Sequence, residues 1–252
     1  MKIDVVATAQ QANNSIVENK TVVVIDVLRA TTVMVKVLNN GAKGIIPVLS
    51  PDEAFKIKKT ETSNVVLGGE RNADLIEGFD YGNSPLSYSD EVIKDKLLVM
   101  TTTNGTLAIK NSLSAKELLI AAFVNDKAVV DVLKSKEDIV LVCSGNNGLY
   151  TLEDALCAGR IIALLIDQNL NIQLSDFALS IHQLYLHSQT DLIKMAAKGY
   201  HYNVLSKKGY HKDLEYCFNS DQCKNVPIWN GSMLVNYVRD WTKQSEIKQT
   251  SN

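Results

Sequence analysis

The sequence predicts an α/β protein: a three-layer α/β/α arrangement around a mostly parallel sheet, open to some mixing, with a more helical C-terminal third. Three observations predict it. Short runs of β-branched and aliphatic residues alternate with helical patterns through about residue 170, the order that βαβ units produce. Those runs are apolar almost throughout, the mark of strands covered on both faces. The 252 residues, 46% of them hydrophobic and 21% charged, supply ample apolar surface for one large core.

The elements follow in chain order. Thr21–Ile25 is the first strand candidate, followed by Asp26 and a helical pattern that reaches Asn40 and stops at Gly41. Gly44–Leu49 is the second. Ser50, Pro51 and Glu53 then read as an N-cap, a first-turn proline and the acidic half of a capping box, so a helix opens there. Asn64–Leu67, Lys96–Met100, Glu117–Ala121 and Asp138–Val142 are four further strand candidates. Thr151, Glu153 and Asp154 open a helix running to about Asp167, and Ser175-Asp176 opens another with a broad apolar face. Residues 199–222, rich in Tyr, Lys and His, read as helical or irregular covering structure. The chain is read as one domain, 1–252, with the site carried by 1–170 and a covering subdomain in 171–252. Residues 242–252 look frayed.

Composition excludes several classes. Lys plus Arg number 26 against 28 Asp plus Glu, a net charge of −2. No global basic field therefore favours nucleic acid or an anionic membrane. No apolar run approaches the roughly 20 residues of a membrane span, and Asp4 argues against a signal peptide. A cytoplasmic protein is expected, with a homo-oligomer left open. Cys143, Cys157, Cys217 and Cys223 form no C-x-x-C and are expected as reduced, mostly buried thiols. The four histidines, His182, His187, His201 and His211, show no metal-binding spacing. No G-x-S-x-G, Walker or G-x-G-x-x-G motif is present.

In an open parallel sheet, ligands bind beyond the carboxyl ends of the strands. Four loops there are unusually polar: Asp26–Thr32, Gly68–Asn72 with its continuation to Pro85, Thr101–Thr106 and Cys143–Gly148. If their strands are neighbours, the loops meet at one edge of the sheet. Thr102, Thr103, Asn104 and Gly105, and Ser144, Gly145, Asn146 and Asn147, offer hydroxyls, amides and backbone N–H groups suited to an anion. Arg29 and Arg71 add bidentate cationic donors. Asp26, Glu70, Asp80, Glu153 and Asp154 are carboxylates able to hold a hard cation such as Mg2+. Each has an alternative reading: Asp26 as a helix cap, Glu70 and Arg71 as surface charges, Asp154 as partner of Thr151, the Thr and Asn runs as turn chemistry.

The blocks VVVIDVLRATT, GGERNADLIEGFDYGNSP, TTTNGT and CSGNNGLYTLEDALCAG resemble the signature blocks of the 2-phosphosulfolactate phosphatase family, in order and spacing over roughly residues 1 to 165. In the last third only Asn225-Val226-Pro227 is similar. The resemblance implies removal of phosphate from 2-phospho-3-sulfolactate, giving 3-sulfolactate on the route to coenzyme M, with Mg2+. It places Asp26, Arg29, Glu70, Arg71, Asn104, Asn146 and Asp154 in the signature blocks. The expected metal set is Asp26, Glu70 and Asp154. An aspartyl-phosphate route of the haloacid-dehalogenase type would want Asp-x-Asp, whereas this chain has Asp26-Val27-Leu28. Metal-activated water is therefore expected, with Asp154 or Glu153 as base beside Asp26. A phosphatase for another 2-phospho acid and a non-catalytic anion-binding or regulatory protein on the same fold stay open.

Overall fold

A computed structural model of the chain describes residues 1–61, 64–168 and 170–237. The strands are β1 (Lys2–Val6), β2 (Thr21–Ile25), β3 (Gly44–Pro47), β4 (Val65–Gly69), β5 (Leu97–Thr101), β6 (Glu117–Ala121), β7 (Asp138–Cys143), β8 (Gln173–Leu174), β9 (Pro227–Trp229) and β10 (Leu234–Asn236). The helices are α1 (Asn14–Val17), α2 (Ala30–Asn39), α3 (Pro51–Thr60), α4 (Asp90–Ile93), α5 (Gly105–Asn111), α6 (Asp126–Leu133), α7 (Leu152–Ile166), α8 (Asp176–Ser188), α9 (Leu192–Ala196), α10 (Tyr200–Lys207) and α11 (His211–Cys217).

The expected strands and helices fall within a residue or two of these bounds, except that α2 begins only at Ala30, with Asp26 and Arg29 in the turn before it. At α3, Ser50 Oγ accepts from Glu53 N at 3.2 Å, while Glu53 reaches back to Leu49 N at 3.1 Å. The capping box thus closes one residue early. Strands β1, β8, β9 and β10 were not expected. Three of them have only two or three residues, too few for a period to show. The frayed stretch 242–252 lies outside the described residues.

The strands form one sheet in the order β4-β5-β3-β10-β9-β6-β2-β7-β1-β8. Two all-parallel blocks make it up: β4, β5 and β3 on one side, and β6, β2, β7, β1 and β8 on the other. Between them lies the antiparallel hairpin of β9 and β10. It joins β3 through Leu234–Ile45 and β6 through Leu119–Ile228. Three antiparallel steps in succession reverse the polarity of one block against the other. Polar loops of both blocks nevertheless line one cavity. The four polar loops therefore meet, although their strands are not all neighbours.

Alternate residues of each central strand enter separate cores. Val23 and Ile25 of β2 pack with Leu141 of β7 and with Leu156, Ile161 and Leu165 of α7. Val22 and Val24 pack with Val33, Met34 and Val37 of α2 and with Ile109 of α5. A third, smaller cluster sets Ala54 of α3 on Leu67 and Val99. The C-terminal third is more than a cover: it supplies the hairpin in mid-sheet and buries Leu205, Leu214 and Phe218 in the first core.

Leu234 is fully buried at the junction of the two blocks. Leu234→Ala is expected to cost roughly 2–5 kcal/mol, read as a lowered urea midpoint. An unchanged midpoint would mean that the hairpin does not hold the blocks together.

Candidate active site

The β2–α2 turn is knotted by its two threonines. Thr31 Oγ1 accepts from Asp26 N at 2.9 Å and donates to Asp26 O at 2.8 Å, and Thr32 Oγ1 donates to Val27 O at 2.8 Å. Val27 and Leu28 are buried in the core, which pins the turn from below. Asp26 Oδ1 accepts from Ala30 N, the first residue of α2, at 3.3 Å. The capping reading of Asp26 thus holds for one oxygen. No hydrogen bond from the described residues reaches the other, Oδ2.

Arg29 is 2% exposed and paired with the buried Asp213 of α11. Ser84 Oγ donates to the second Asp213 oxygen at 2.8 Å, and the Tyr210 ring centroid lies 3.9 Å from the guanidinium carbon. Tyr210 in turn donates to Ala73 O at 3.1 Å. Planar stacking and a fixed charge partner hold the fork in one orientation.

The two Asn-Gly loops interlock. Asn104 Oδ1 accepts from Asn147 N at 3.0 Å, and Asn104 Nδ2 lies 3.5 Å from Asn146 Oδ1. Gly105 lets α5 approach this closely: a Cβ there would sit 2.6 Å from Ala30 Cβ and 2.7 Å from Asp26 Oδ2. Thr102 and Thr106 tie the start of α5 by mutual side-chain to backbone bonds. Gly145 takes a left-handed φ of 64°, and a Cβ would lie 2.4 Å from Leu149 O.

Many of the N–H groups expected to cradle an anion are already taken by the protein's own carboxylates. Glu70 accepts from Thr103 N and Ala73 N at 2.8 Å each, and from Thr103 Oγ1 at 3.3 Å. Asp154 accepts from Val27 N at 2.8 Å, Gly145 N at 3.1 Å and Thr151 Oγ1 at 2.9 Å. These two acids organise the loops.

A cavity of about 290 Å3 opens above this floor. Of the expected residues, Asp26, Arg29, Glu70, Thr103, Asn104, Asn146 and Asn147 line it. Thr102, Gly105, Ser144, Gly145, Glu153 and Asp154 lie behind that lining. Arg71 also lies outside it, because its guanidinium is spent on Glu70 O, Leu49 O and Thr101 Oγ1. Asp80 pairs with Lys58 and accepts from Leu67 N, away from the cavity. The rest of the lining comes from Leu28, from Asn72, Ala73 and Asn83 of the loop after β4, and from the C-terminal third: Tyr200, His201, Val204, Leu205 and Lys208. The sequence neighbours of His201 hold no second ligand or acid, and its partner, Glu153, comes from α7. Asn83 of the lining has a buried Oδ1 without a hydrogen-bond partner.

Burial pushes the Asp26 carboxyl up to about 6, with the Glu70 and Glu153 charges adding and His201 and the Ala30 N–H opposing. Burial, then Asp26 and Glu153, also hold Asp154 well above the usual carboxylate range. For His201, burial works downward, but the hydrogen bond and charge of Glu153, with Asp26 and Asp154, raise it above the ordinary imidazole value. The four cysteines are free and buried. Burial pushes Cys143 and Cys157 far above the range of a reactive thiol.

Among the described residues no three His, Cys, Asp or Glu side chains gather as a metal cluster. The set Asp26, Glu70 and Asp154 is not assembled as a cage, since three donors already occupy Asp154 and three occupy Glu70. Asp26 Oδ2 keeps its lone pairs. One carboxylate oxygen completed by water and substrate oxygens is a donor set that Mg2+ accepts. No described helix is long and apolar enough to cross a membrane.

Fold and cavity define an α/β protein that presents a fixed guanidinium, side-chain amides and one buried carboxylate to a small anion at its strand ends. The family model for 2-phosphosulpholactate phosphatase matches residues 6–232, and the chain belongs to that family. It is similar to a probable 2-phosphosulfolactate phosphatase of Clostridium novyi (strain NT), 46% identical over 90% of this chain and 96% of the relative. Probable 2-phosphosulfolactate phosphatases of Clostridium botulinum (strain Eklund 17B / Type B) and Caldicellulosiruptor saccharolyticus are each 41% identical, over 93% and 88% of this chain and 99% and 93% of theirs.

The raised Asp26 value sets a pH dependence. The folded chain binds that proton more tightly than the unfolded one, so stability falls as pH rises from 3.8 to about 6. On the order of 1–3 kcal/mol is involved. In EDTA at pH 7.5, Asp26→Asn is expected to melt at or above the wild-type temperature, and the advantage should vanish near the acid end of that window. A variant less stable at both pH values would contradict the raised Asp26 value, because Asn keeps the cap to α2.

Proposed function

We propose that this protein is a phosphatase for the monoester of a small anionic 2-hydroxy acid, converting 2-phospho-3-sulfolactate and water into 3-sulfolactate and phosphate. The cavity carries the reading. Its Arg29 is fixed by Asp213 and Tyr210, its amides come from Asn104, Asn146 and Asn147, and Lys208 stands at its wall, all beside Asp26. A substrate with phosphoryl, carboxylate and sulfonate groups carries about four negative charges, so it needs several separated donors. The names of the curated relatives agree.

In this reading Arg29 orients one anionic group through the N–H donors it does not spend on Asp213. The interlocked asparagines orient a second and keep bulk water from it. Mg2+ belongs to the proposal, held through Asp26 Oδ2 together with substrate and water oxygens. When bound, the ion supplies neutralisation of charge at the phosphoryl oxygens. Asp26→Asn would keep the cap to α2 and lose the anionic donor.

The test is phosphate release from 2-phosphosulfolactate with and without Mg2+. The wild-type protein is expected to release phosphate only with the metal, and Asp26→Asn to turn over about a hundredfold more slowly. Arg29→Lys keeps the charge and loses the fork, so kcat/KM is expected to fall by about tenfold or more in a folded protein. Tight product binding without any phosphate release would favour the non-catalytic anion binder. Full activity in EDTA would remove the metal from the reading.

A further inference from the structure

Glu153 is 1% exposed, and Oε2 is buried without any hydrogen-bond partner. Its Oε1 meets Nδ1 of His201 at 3.0 Å, the one hydrogen bond to its side chain among the described residues. A carboxylate taken out of water costs several kcal/mol unless a charge answers it. Packing alone would be served as well by Gln, so the acid is explained by the imidazole. His201 stands on α10 with its side chain 17% exposed, and it lines the cavity with Asp26 and Arg29. With Nδ1 turned toward Glu153, Nε2 is the ring nitrogen left for the cavity, and the carboxylate fixes that tautomer.

We propose that His201, oriented by Glu153, is the proton donor to the leaving oxygen of the phosphomonoester; this rests on the phosphatase reading above. The alkoxide of a 2-hydroxy acid is a poor leaving group and needs a proton as the bond breaks. Water oxygen bonds to phosphorus while the ester P–O bond breaks. The electron pair of that bond stays on the ester oxygen, which takes the Nε2 proton and becomes the hydroxyl of the product acid. The attacking water loses one proton, and a proton returns to Nε2, so ester plus water becomes alcohol plus phosphate. The hydrogen bond and negative charge of Glu153 favour the protonated imidazole against the pull of burial. Glu153 touches no substrate and is a positioning residue; His201 is the catalytic one.

The experiment compares two phosphomonoesters on the Mg2+-supplied enzyme: 2-phosphosulfolactate and 4-nitrophenyl phosphate, whose phenolate leaves without a proton. His201→Asn is expected to lower kcat on the first by about a hundredfold or more, with KM within about threefold, and on the second by less than about tenfold. Glu153→Gln, nearly isosteric and chosen in case the first variant folds poorly, should show the same pattern at smaller amplitude. Equal losses on both substrates, or a loss confined to KM, would overturn the assignment and leave a latch between α7 and α10. If only the sulfolactate ester is cleaved, unchanged kcat on it in both folded variants overturns the assignment, and a lowered kcat at constant KM supports it. A wild-type enzyme that releases no phosphate from either ester would overturn the phosphatase reading itself.

Discussion

The buried pair of Arg29 and Asp213 is the constraint on which the site depends. A guanidinium never sheds its charge, so at 2% exposure it must be answered in place. Asp213 of α11 answers it, Ser84 holds the far oxygen of that acid, and Tyr210 stacks on the fork. Three distant stretches of chain are thereby joined: the β2–α2 turn, the loop after β4, and the C-terminal helices. Removing one partner of such a pair costs roughly 3–5 kcal/mol, whereas an apolar replacement of both is often neutral or better. A pair kept at that cost makes sense as a preorganised cation at the edge of a cavity.

Around that anchor the loops hold themselves open by internal mimicry. Glu70 and Asp154 occupy N–H groups that an incoming anion would otherwise meet. The strand-end loops are tied to the protein's own carboxylates, and side-chain donors are left to do the recognition. The reversal of polarity across β3, β10, β9 and β6 adds a second condition. The cavity takes its lining from loops of both parallel blocks, which the short hairpin joins into one sheet.

Fold class and most elements were legible because long apolar runs between polar loops have few other readings. Asp26, Arg29, Glu70, Thr103, Asn104, Asn146 and Asn147 were legible as lining residues for the same reason: they follow strands directly. Arg71 was misleading, since nothing in its spacing says that a guanidinium will turn to carbonyl oxygens. Asp154 and Glu70 looked like metal ligands because a carboxylate beside Asn-Gly loops reads alike whether it faces a cation or backbone N–H groups. His201, Lys208 and Asp213 were illegible: each meets its partner across more than forty residues of chain, and the hairpin that joins the two blocks is too short for any period.

The central claim is that one cavity, floored by strand-end loops and walled by α10, receives the anions of the substrate. A crystal structure with 3-sulfolactate and phosphate bound together tests it most directly. The account predicts both molecules in that cavity, one anionic group on the Arg29 fork and another among Asn104, Asn146 and Asn147, with His201 within hydrogen-bond distance of the hydroxyl oxygen. Product bound elsewhere on the protein, or a cavity left empty at saturating product, would contradict it.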